Sequence, residues 1–261
     1  MALAPEGAGW SLQLGLYQTS SDRLYTGSRE VPNPGVETRF RRVNLRLAFD
    51  VDAEEGVRGF VQLPWTDIRY RQPGSPDLER SGLADAPAWV EWKRPPWTFT
   101  GGVELPLGDE DLPPSPTGVS PLLLQLGSGT FDPFLGVRWD TGLGEDWSLF
   151  AGGLVQTPLG RSNADLNPGN LLDLHVGTNW SRELWSLGLG VHATFRSRDY
   201  LAGAPIVASG SSVYSLAPAL AWSPVENLRL FLQARIPVLF QVRGTQIVPG
   251  PSLSLQAGWD F

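Results

Sequence analysis

Apolar and polar residues alternate along twelve segments of the chain. The segment from Trp185 to Phe195 shows the pattern most clearly, with large apolar residues at odd positions and Ser, Gly, His or Thr at even positions. Successive side chains of a β-strand point to opposite faces, so a period of two predicts strands with one apolar and one polar face. The segments have about 9–14 residues each, which is the length that a tilted strand needs to cross a bilayer.

The connections between these segments alternate in length. Short connections lie at 51–56, 93–96, 140–146, 181–184 and 223–227, and long ones at about 20–37, 70–83, 107–131, 157–170, 197–212 and 242–251. Bacterial outer-membrane barrels have an even number of strands, short periplasmic turns and long extracellular loops. The sequence therefore predicts an all-β protein in the bacterial outer membrane. We expect residues 1–261 to form a single domain, a transmembrane antiparallel up-and-down β-barrel of twelve strands with both termini in the periplasm.

Tryptophans provide an independent indication of the same architecture. Nine of the eleven lie beside a short connection or a chain terminus, namely Trp10, Trp92, Trp97, Trp139, Trp147, Trp180, Trp185, Trp222 and Trp259. Aromatic residues concentrate where a barrel crosses the membrane–water interface. We therefore predict an aromatic girdle at the periplasmic rim.

The chain ends on Phe261, preceded by apolar residues at every second position. This ending resembles the signal by which the barrel assembly machinery recognises outer-membrane proteins, which we therefore expect as a partner. The alternative is a strand that merely closes a soluble sheet. At the other end, Ala2-Leu3-Ala4 resembles the remnant of a signal-peptide cleavage site, although an unremarkable N-terminus explains it equally well.

Composition excludes several function classes. The formal net charge of −7 and the absence of a basic block argue against nucleic acid as a partner. The chain has no cysteine, which excludes disulfides, thiolate metal sites and cysteine nucleophiles and suits a protein that is exported unfolded. No apolar run approaches the roughly 18–20 residues that a membrane helix requires.

If the apolar faces of the strands contact lipid, the polar faces line a lumen. The predicted lumen residues are Arg42, Arg46, Arg58, Asp85, Glu91, Glu104, Arg138, Asp173, His175, His192, Arg196, Arg229, Arg235 and Asp260. Strand order places most of the arginines on one wall and several carboxylates on another, which would orient dipolar or anionic solutes in an open pore. Alternatively, the charges pair across a narrow lumen and close it.

The two histidines of the chain, His175 and His192, both point into this lumen by parity. A metal site or a proton switch is conceivable, but two histidines without a third ligand make a weak case for zinc, and a solvated or hydrogen-bonded pair is favoured. We therefore expect no metal and no cofactor. An outer-membrane phospholipase is also twelve-stranded, but its nucleophile pair faces lipid, whereas neither histidine does here. We expect no enzymatic activity.

Three motifs in the middle of the chain resemble a known family. They are Ser81-Gly82-Leu83-Ala84-Asp85, Leu105-Pro106-Leu107-Gly108-Asp109 and the segment from Leu124 to Asp132, all within residues 60–140. The resemblance is to outer-membrane transporters named for phenol degradation by the meta-cleavage pathway. That family usually has Gly where Ala84 stands and Thr where Leu107 stands. The resemblance implies passive uptake of small molecules, apolar or aromatic ones among them. The alternative is a structural or partner-binding barrel with a plugged lumen.

The long connection from Gly108 to Phe131 contains an apolar run, Leu122-Leu123-Leu124-Gln125-Leu126. Such a run in water would be a liability, so two arrangements are open. Either the following strand extends above the membrane, which the resemblance favours, or the segment folds inward as a constriction or ligand shelf. Carboxylates of the long loops (Asp109, Glu110, Asp111, Asp165) either contact lipopolysaccharide-bound cations or are simply solvated. Lipid and lipopolysaccharide are expected partners, with a small-molecule solute.

Overall fold

The computed structural model describes residues 9–111, 124–163 and 165–261. These residues form β-strands β1 (Trp10–Ser21), β2 (Arg23–Thr26), β3 (Arg29–Val31), β4 (Glu37–Asp52), β5 (Val57–Arg71), β6 (Leu78–Leu83), β7 (Ala86–Arg94), β8 (Trp97–Leu105), β9 (Asp132–Leu143), β10 (Trp147–Gln156), β11 (Leu166–Asn167), β12 (Leu171–Arg182), β13 (Trp185–Arg196), β14 (Tyr200–Leu201), β15 (Ala204–Pro205), β16 (Ser211–Val225), β17 (Leu228–Val242), β18 (Thr245–Val248) and β19 (Ser252–Asp260). In this part of the chain, no helix is long and apolar enough to cross a membrane.

The main sheet closes on itself. Its thirteen strands run in the order β4-β1-β19-β17-β16-β13-β12-β10-β9-β8-β7-β5-β6, and β4 also pairs with β5. Because β7 pairs with one half of β5 and β6 with the other, these two strands share one position in the wall. The result is a closed antiparallel barrel of twelve strand positions, which confirms the predicted fold. The periplasmic placement of both termini stays a prediction.

The barrel closes where the two ends of the chain meet. Strand β1 pairs with β19 over the register Ser11 to Thr19, and the backbone N–H of Phe261 donates to the carbonyl of Trp10 at 3.0 Å. A closed sheet leaves no unpaired strand edge, which is the condition for a sheet to be stable in lipid.

The outer surface of the barrel is apolar along its length. Leu135 is 68% exposed, Val176 55% and Leu189 53%, all on the outward face of their strands. In water a contiguous surface of this kind would cause association, whereas in a bilayer it contacts acyl chains. The chain therefore has the architecture of a bacterial outer-membrane barrel.

The long connections contain short strands of their own at one end of the barrel. Strands β2, β3 and β18 form one small sheet, and β11, β14 and β15 form another. Tyr25, Phe240, Val242 and Val248 form a buried cluster between the first small sheet and β17. The connection predicted at 70–83 is shorter than expected, because β5 continues to Arg71 and the chain pairs with it again from Leu78.

Candidate functional site: the barrel lumen

Described residues line two cavities in the interior of the barrel. The central one has a volume of about 420 Å³ and is lined by Arg46, Glu91, Arg138, His175 and His192 of the predicted lumen set. The second, of about 710 Å³, lies near the long loops and is lined by Arg42, Asp85, Glu104 and Arg196 of that set.

The remaining predicted lumen residues do not line either cavity. Asp173 and Arg235 both contact His192. Arg58 pairs in register with Glu91 and Asp50, and Arg229 with Gly258, all close to the short turns. Asp260 pairs in register with Ser11, at the same end of the barrel.

Aromatic side chains line the central cavity, and the sequence analysis did not select them. Trp89 stacks on Phe60 with ring centroids 4.9 Å apart and an interplanar angle of 6°. Phe134 and Phe150 also line the cavity. The alternation of the strands could have identified them as inward-facing. Each lies an even number of residues from an inward polar residue on its own strand, and such residues share a face of the strand. The centre of the lumen is therefore partly aromatic.

Two guanidinium groups lie over these rings. The Arg46 guanidinium is 5.1 Å from the Trp89 centroid, and that of Arg138 is 4.6 Å from the Phe150 centroid. Cation–π contacts of this kind contribute on the order of 1–2 kcal/mol where water is partly excluded. The alternating cations and rings present a surface suited to planar, polarisable solutes.

Lumen arginines are held by neutral acceptors or by nearby carboxylates along the wall. Arg46 donates to the amide oxygens of Gln62, at 3.0 Å, and Gln13, at 3.2 Å, and Arg42 donates to the Thr66 hydroxyl at 3.1 Å.

The ion pairs follow the wall in the same way. Arg58 pairs with Asp50 on the neighbouring strand at 2.9 Å, and Arg138 with Asp140 on its own strand at 2.5 Å. Among the described residues, these pairs run along the wall and not across the lumen. This arrangement differs from the closed-lumen alternative, in which the charges pair across the bore.

The three motifs that carry the family resemblance meet at one junction. The carboxylate of Asp85, at the break between β6 and β7, accepts from the backbone N–H groups of Gly108 at 3.0 Å and Ser128 at 2.5 Å. The carbonyl of Asp109 accepts from the N–H of Leu126 at 3.0 Å and of Gly127 at 3.2 Å. Two distant segments are thereby attached to the break in the wall.

Close backbone contact explains the glycines of this junction. A Cβ on Gly108 would lie 2.7 Å from the backbone of Gly127. The Asp109 side chain, in the connection that follows β8, forms an ion pair with Arg80. The pKa of Asp109 is lowered first by the hydrogen bond from the backbone N–H of Asp111 and then by Arg80.

The segment from Leu124 to Thr130 folds into the barrel. Leu124 is fully buried and Leu126 nearly so, against Ile68 on the inner face of β5. The favoured expectation of an extended strand is therefore wrong for this segment, since β9 begins only at Asp132. The inward alternative is the correct one here. Residues 112–123, including Leu122 and Leu123, lie outside the described residues.

Most of the predicted girdle tryptophans are paired across strands at the short-turn end. The register opposes Trp97 to Trp139, Trp147 to Trp180 and Trp185 to Trp222. The last pair is stacked, with ring centroids 5.4 Å apart. Trp10, Trp92 and Trp259 lie at the same end and are 54%, 43% and 43% exposed. These tryptophans therefore lie together at the short-turn end of the barrel. The periplasmic position of that end stays a prediction.

Comparisons with solved structures show the same fold. The chain is similar to the COG4313 outer membrane channel from Pseudomonas putida F1, with 15% identity, a TM-score of 0.80 and 100% of both chains covered. It is also similar to the β domain of the Bordetella autotransporter BrkA, with 12% identity, a TM-score of 0.63 and coverage of 98% of this chain and 100% of that one.

A third similar structure is the P. putida toluene transporter TodX, with 8% identity, a TM-score of 0.51 and coverage of 99% and 91%. No curated protein matches the chain by sequence. A family model matches residues 45–255, which is most of the chain and includes all three motifs of the junction. The chain therefore belongs to the family described as "Putative MetA-pathway of phenol degradation".

Proposed function

We propose that the protein is a channel in the bacterial outer membrane for the passive uptake of small molecules, aromatic ones among them. The observation that carries this proposal is the central cavity of the closed barrel, whose lining includes Arg46 and the rings of Trp89, Phe134 and Phe150. A flat solute could stack on these rings while its polar groups contact the arginines and glutamines around them.

The dimensions of the cavity support this proposal. In other proteins a cavity of about 150 Å³ holds a benzene molecule. The central cavity has about 420 Å³, which is enough for a substituted ring with some of its water. The similarity in fold to a toluene transporter and to an outer membrane channel agrees with this solute class.

The orientation completes the proposal. With both termini and the tryptophan rim in the periplasm, the small sheets formed by β2, β3 and β18 and by β11, β14 and β15 face the medium and contact lipopolysaccharide. The Phe261 side chain, next to the closing strand, is 73% exposed and therefore accessible for binding by the barrel assembly machinery. The chain acts as one barrel domain, and the proposed function is transport without catalysis.

Solute uptake into proteoliposomes tests the proposal. Phenol and benzoate are suitable probes, because both are small and planar and only one of them is charged at neutral pH. We expect uptake in the wild type, and we expect Trp89→Ala and Phe150→Ala to change the ratio of aromatic to aliphatic solute flux severalfold. Trp92→Ala is the matched control, because Trp92 lies on the same strand as Trp89 and faces outward, 43% exposed.

Two results would count against the proposal. If wild-type vesicles take up every solute no faster than protein-free vesicles, the lumen is plugged and the protein has a structural or partner-binding role. If Trp89→Ala behaves like Trp92→Ala for all solutes, the aromatic layer does not contact the permeant molecule.

A further inference from the structure

Asp173, His175 and His192 bring three metal-ligating atoms together in the lumen, whereas the sequence favoured a solvated or hydrogen-bonded histidine pair over a metal site. His175 on β12 lies directly opposite His192 on β13 in the strand register. Nδ1 of each ring lies 3.9 Å from the same carboxylate oxygen, Oδ1 of Asp173. The three atoms all lie within 4.8 Å of one another. The third ligand that the two histidines lacked in the sequence is thus present.

We propose that Asp173, His175 and His192 bind one divalent transition-metal ion of the Zn²⁺ or Cu²⁺ type. Zinc–nitrogen and zinc–oxygen bonds of about 2.0–2.2 Å place tetrahedral ligands roughly 3.3–3.6 Å apart. The two 3.9 Å separations from Asp173 therefore require an approach of roughly 0.3–0.6 Å, and the separation between the histidines, at most 4.8 Å, an approach of at most roughly 1.5 Å. Rotamer adjustment provides a movement of this size without moving the strands.

The surroundings orient each ligand toward the common centre. The Thr194 hydroxyl donates to Oδ2 of Asp173 at 2.7 Å, which leaves Oδ1 for the metal. A Cβ at Gly152 would lie 2.7 Å from Nε2 of His175, so the glycine makes room for that edge of the ring. Outer contacts of this kind fix ligand geometry in known metal sites.

Arg235 shows that His192 presents a lone pair to this centre. Nη2 of Arg235 lies 3.1 Å from Nδ1 of His192. A guanidinium can only donate, so Nδ1 must be the unprotonated nitrogen of a neutral imidazole. A metal ion requires that same lone pair. Arg235 therefore occupies the metal's place at His192 and must move aside when the ion binds.

The site is open to the lumen. Both histidines line the central cavity of about 420 Å³, which provides the entry path. Three protein ligands leave a fourth position for water or for an oxygen-bearing solute in the cavity. Imidazole and carboxylate favour Zn²⁺ and Cu²⁺ over Mg²⁺ and Ca²⁺, and Cu²⁺ binds tightest in the general series.

Metal titration of the purified barrel without a histidine tag tests this proposal independently of transport. We expect calorimetry to show one Zn²⁺ per chain, no heat with Mg²⁺ or Ca²⁺, and an electron paramagnetic resonance spectrum of bound Cu²⁺ with coupling to two nitrogens. His175→Gln and His192→Gln should each weaken Zn²⁺ binding by more than about tenfold. Glu145→Gln, which changes an exposed carboxylate in a short turn, should leave the binding unchanged.

The Arg235→Gln variant keeps the test decisive if the histidine variants fold poorly. Removing a positive charge next to the ion should tighten Zn²⁺ binding by about tenfold or more. Unchanged Zn²⁺ affinity in Arg235→Gln, or equal affinity in the wild type and the His175→Gln/His192→Gln double variant, would overturn the site. Copper coupling to no nitrogen would overturn it as well.

Discussion

Replacing Asp85 by alanine should release the inward-folded segment from the barrel wall. The Asp85 carboxylate is nearly buried and accepts hydrogen bonds from the backbone N–H groups of Gly108 and Ser128. These two bonds attach the residues after β8 and the segment before β9 to the break between β6 and β7. Without the carboxylate, the N–H groups of these two half-buried residues lose their acceptor.

The expected magnitude follows from those two bonds. A hydrogen bond to a charged acceptor contributes about 1.5–3 kcal/mol, so the pair contributes about 3–6 kcal/mol to keeping the segment closed. Since 1.4 kcal/mol corresponds to a factor of ten, local opening should become at least about a hundredfold more frequent. Asp85→Asn keeps one side-chain acceptor and should have a smaller effect.

Hydrogen exchange in lipid nanodiscs measures this opening directly. We expect the amides of Gly108 and Leu126 to Ser128 to lose protection in Asp85→Ala, while β1 and β19 stay protected. Asp67→Ala is the matched control, because Asp67 is an exposed carboxylate on β5 that pairs in register with Ser81. Unchanged protection of Gly108 and Ser128 in Asp85→Ala would refute the reasoning.

Three further predictions follow from the wall, the junction and the loops. Val191→Arg places a charge on the lipid-facing side of β13 near mid-strand and should cost about 2–4 kcal/mol in unfolding titrations from vesicles, whereas Val191→Leu should be close to neutral. Gly108→Val should disrupt the close backbone approach to Gly127 and increase protease cleavage between β8 and β9, in contrast to the same change at Gly9, whose Cβ position is open and whose φ is not positive. Because folding lowers the pKa of Asp109, the ionised carboxylate stabilises the folded state fully at a pH above its ordinary pKa of 3.8. This stabilisation is lost as the pH falls below 3.8 and passes through the lowered pKa of the folded state. Exchange at Leu126, corrected for the intrinsic pH effect, should therefore accelerate in acid, and Asp109→Asn should abolish that dependence.

The barrel could be predicted from the sequence because the signal for each strand is local. Whether Leu189 faces lipid or lumen depends only on its own strand and the pleat, so alternation and connection length were sufficient. The direction of residues 124–130 could not be predicted in this way. It depends on contacts between Asp85, Gly108 and Ser128, which are far apart in sequence.

The chemistry of the lumen was predicted only in part, for a related reason. Phe60 and Phe150 were not selected as lumen residues, because the selection followed charged and polar side chains, although their parity places both on the inner face of the wall. Asp173 was recognised as a lumen residue, but its position beside both histidines depends on side-chain geometry across two strands.

Conductance of the purified wild-type barrel in planar lipid bilayers tests the central claim most directly. We predict discrete single-channel steps that are briefly and reversibly blocked by phenol or benzoate, because an aromatic solute resting on Trp89 or Phe150 in the central cavity would slow the passage of ions. A folded, inserted barrel that conducts no ions, and whose vesicles exclude small solutes, would contradict the account.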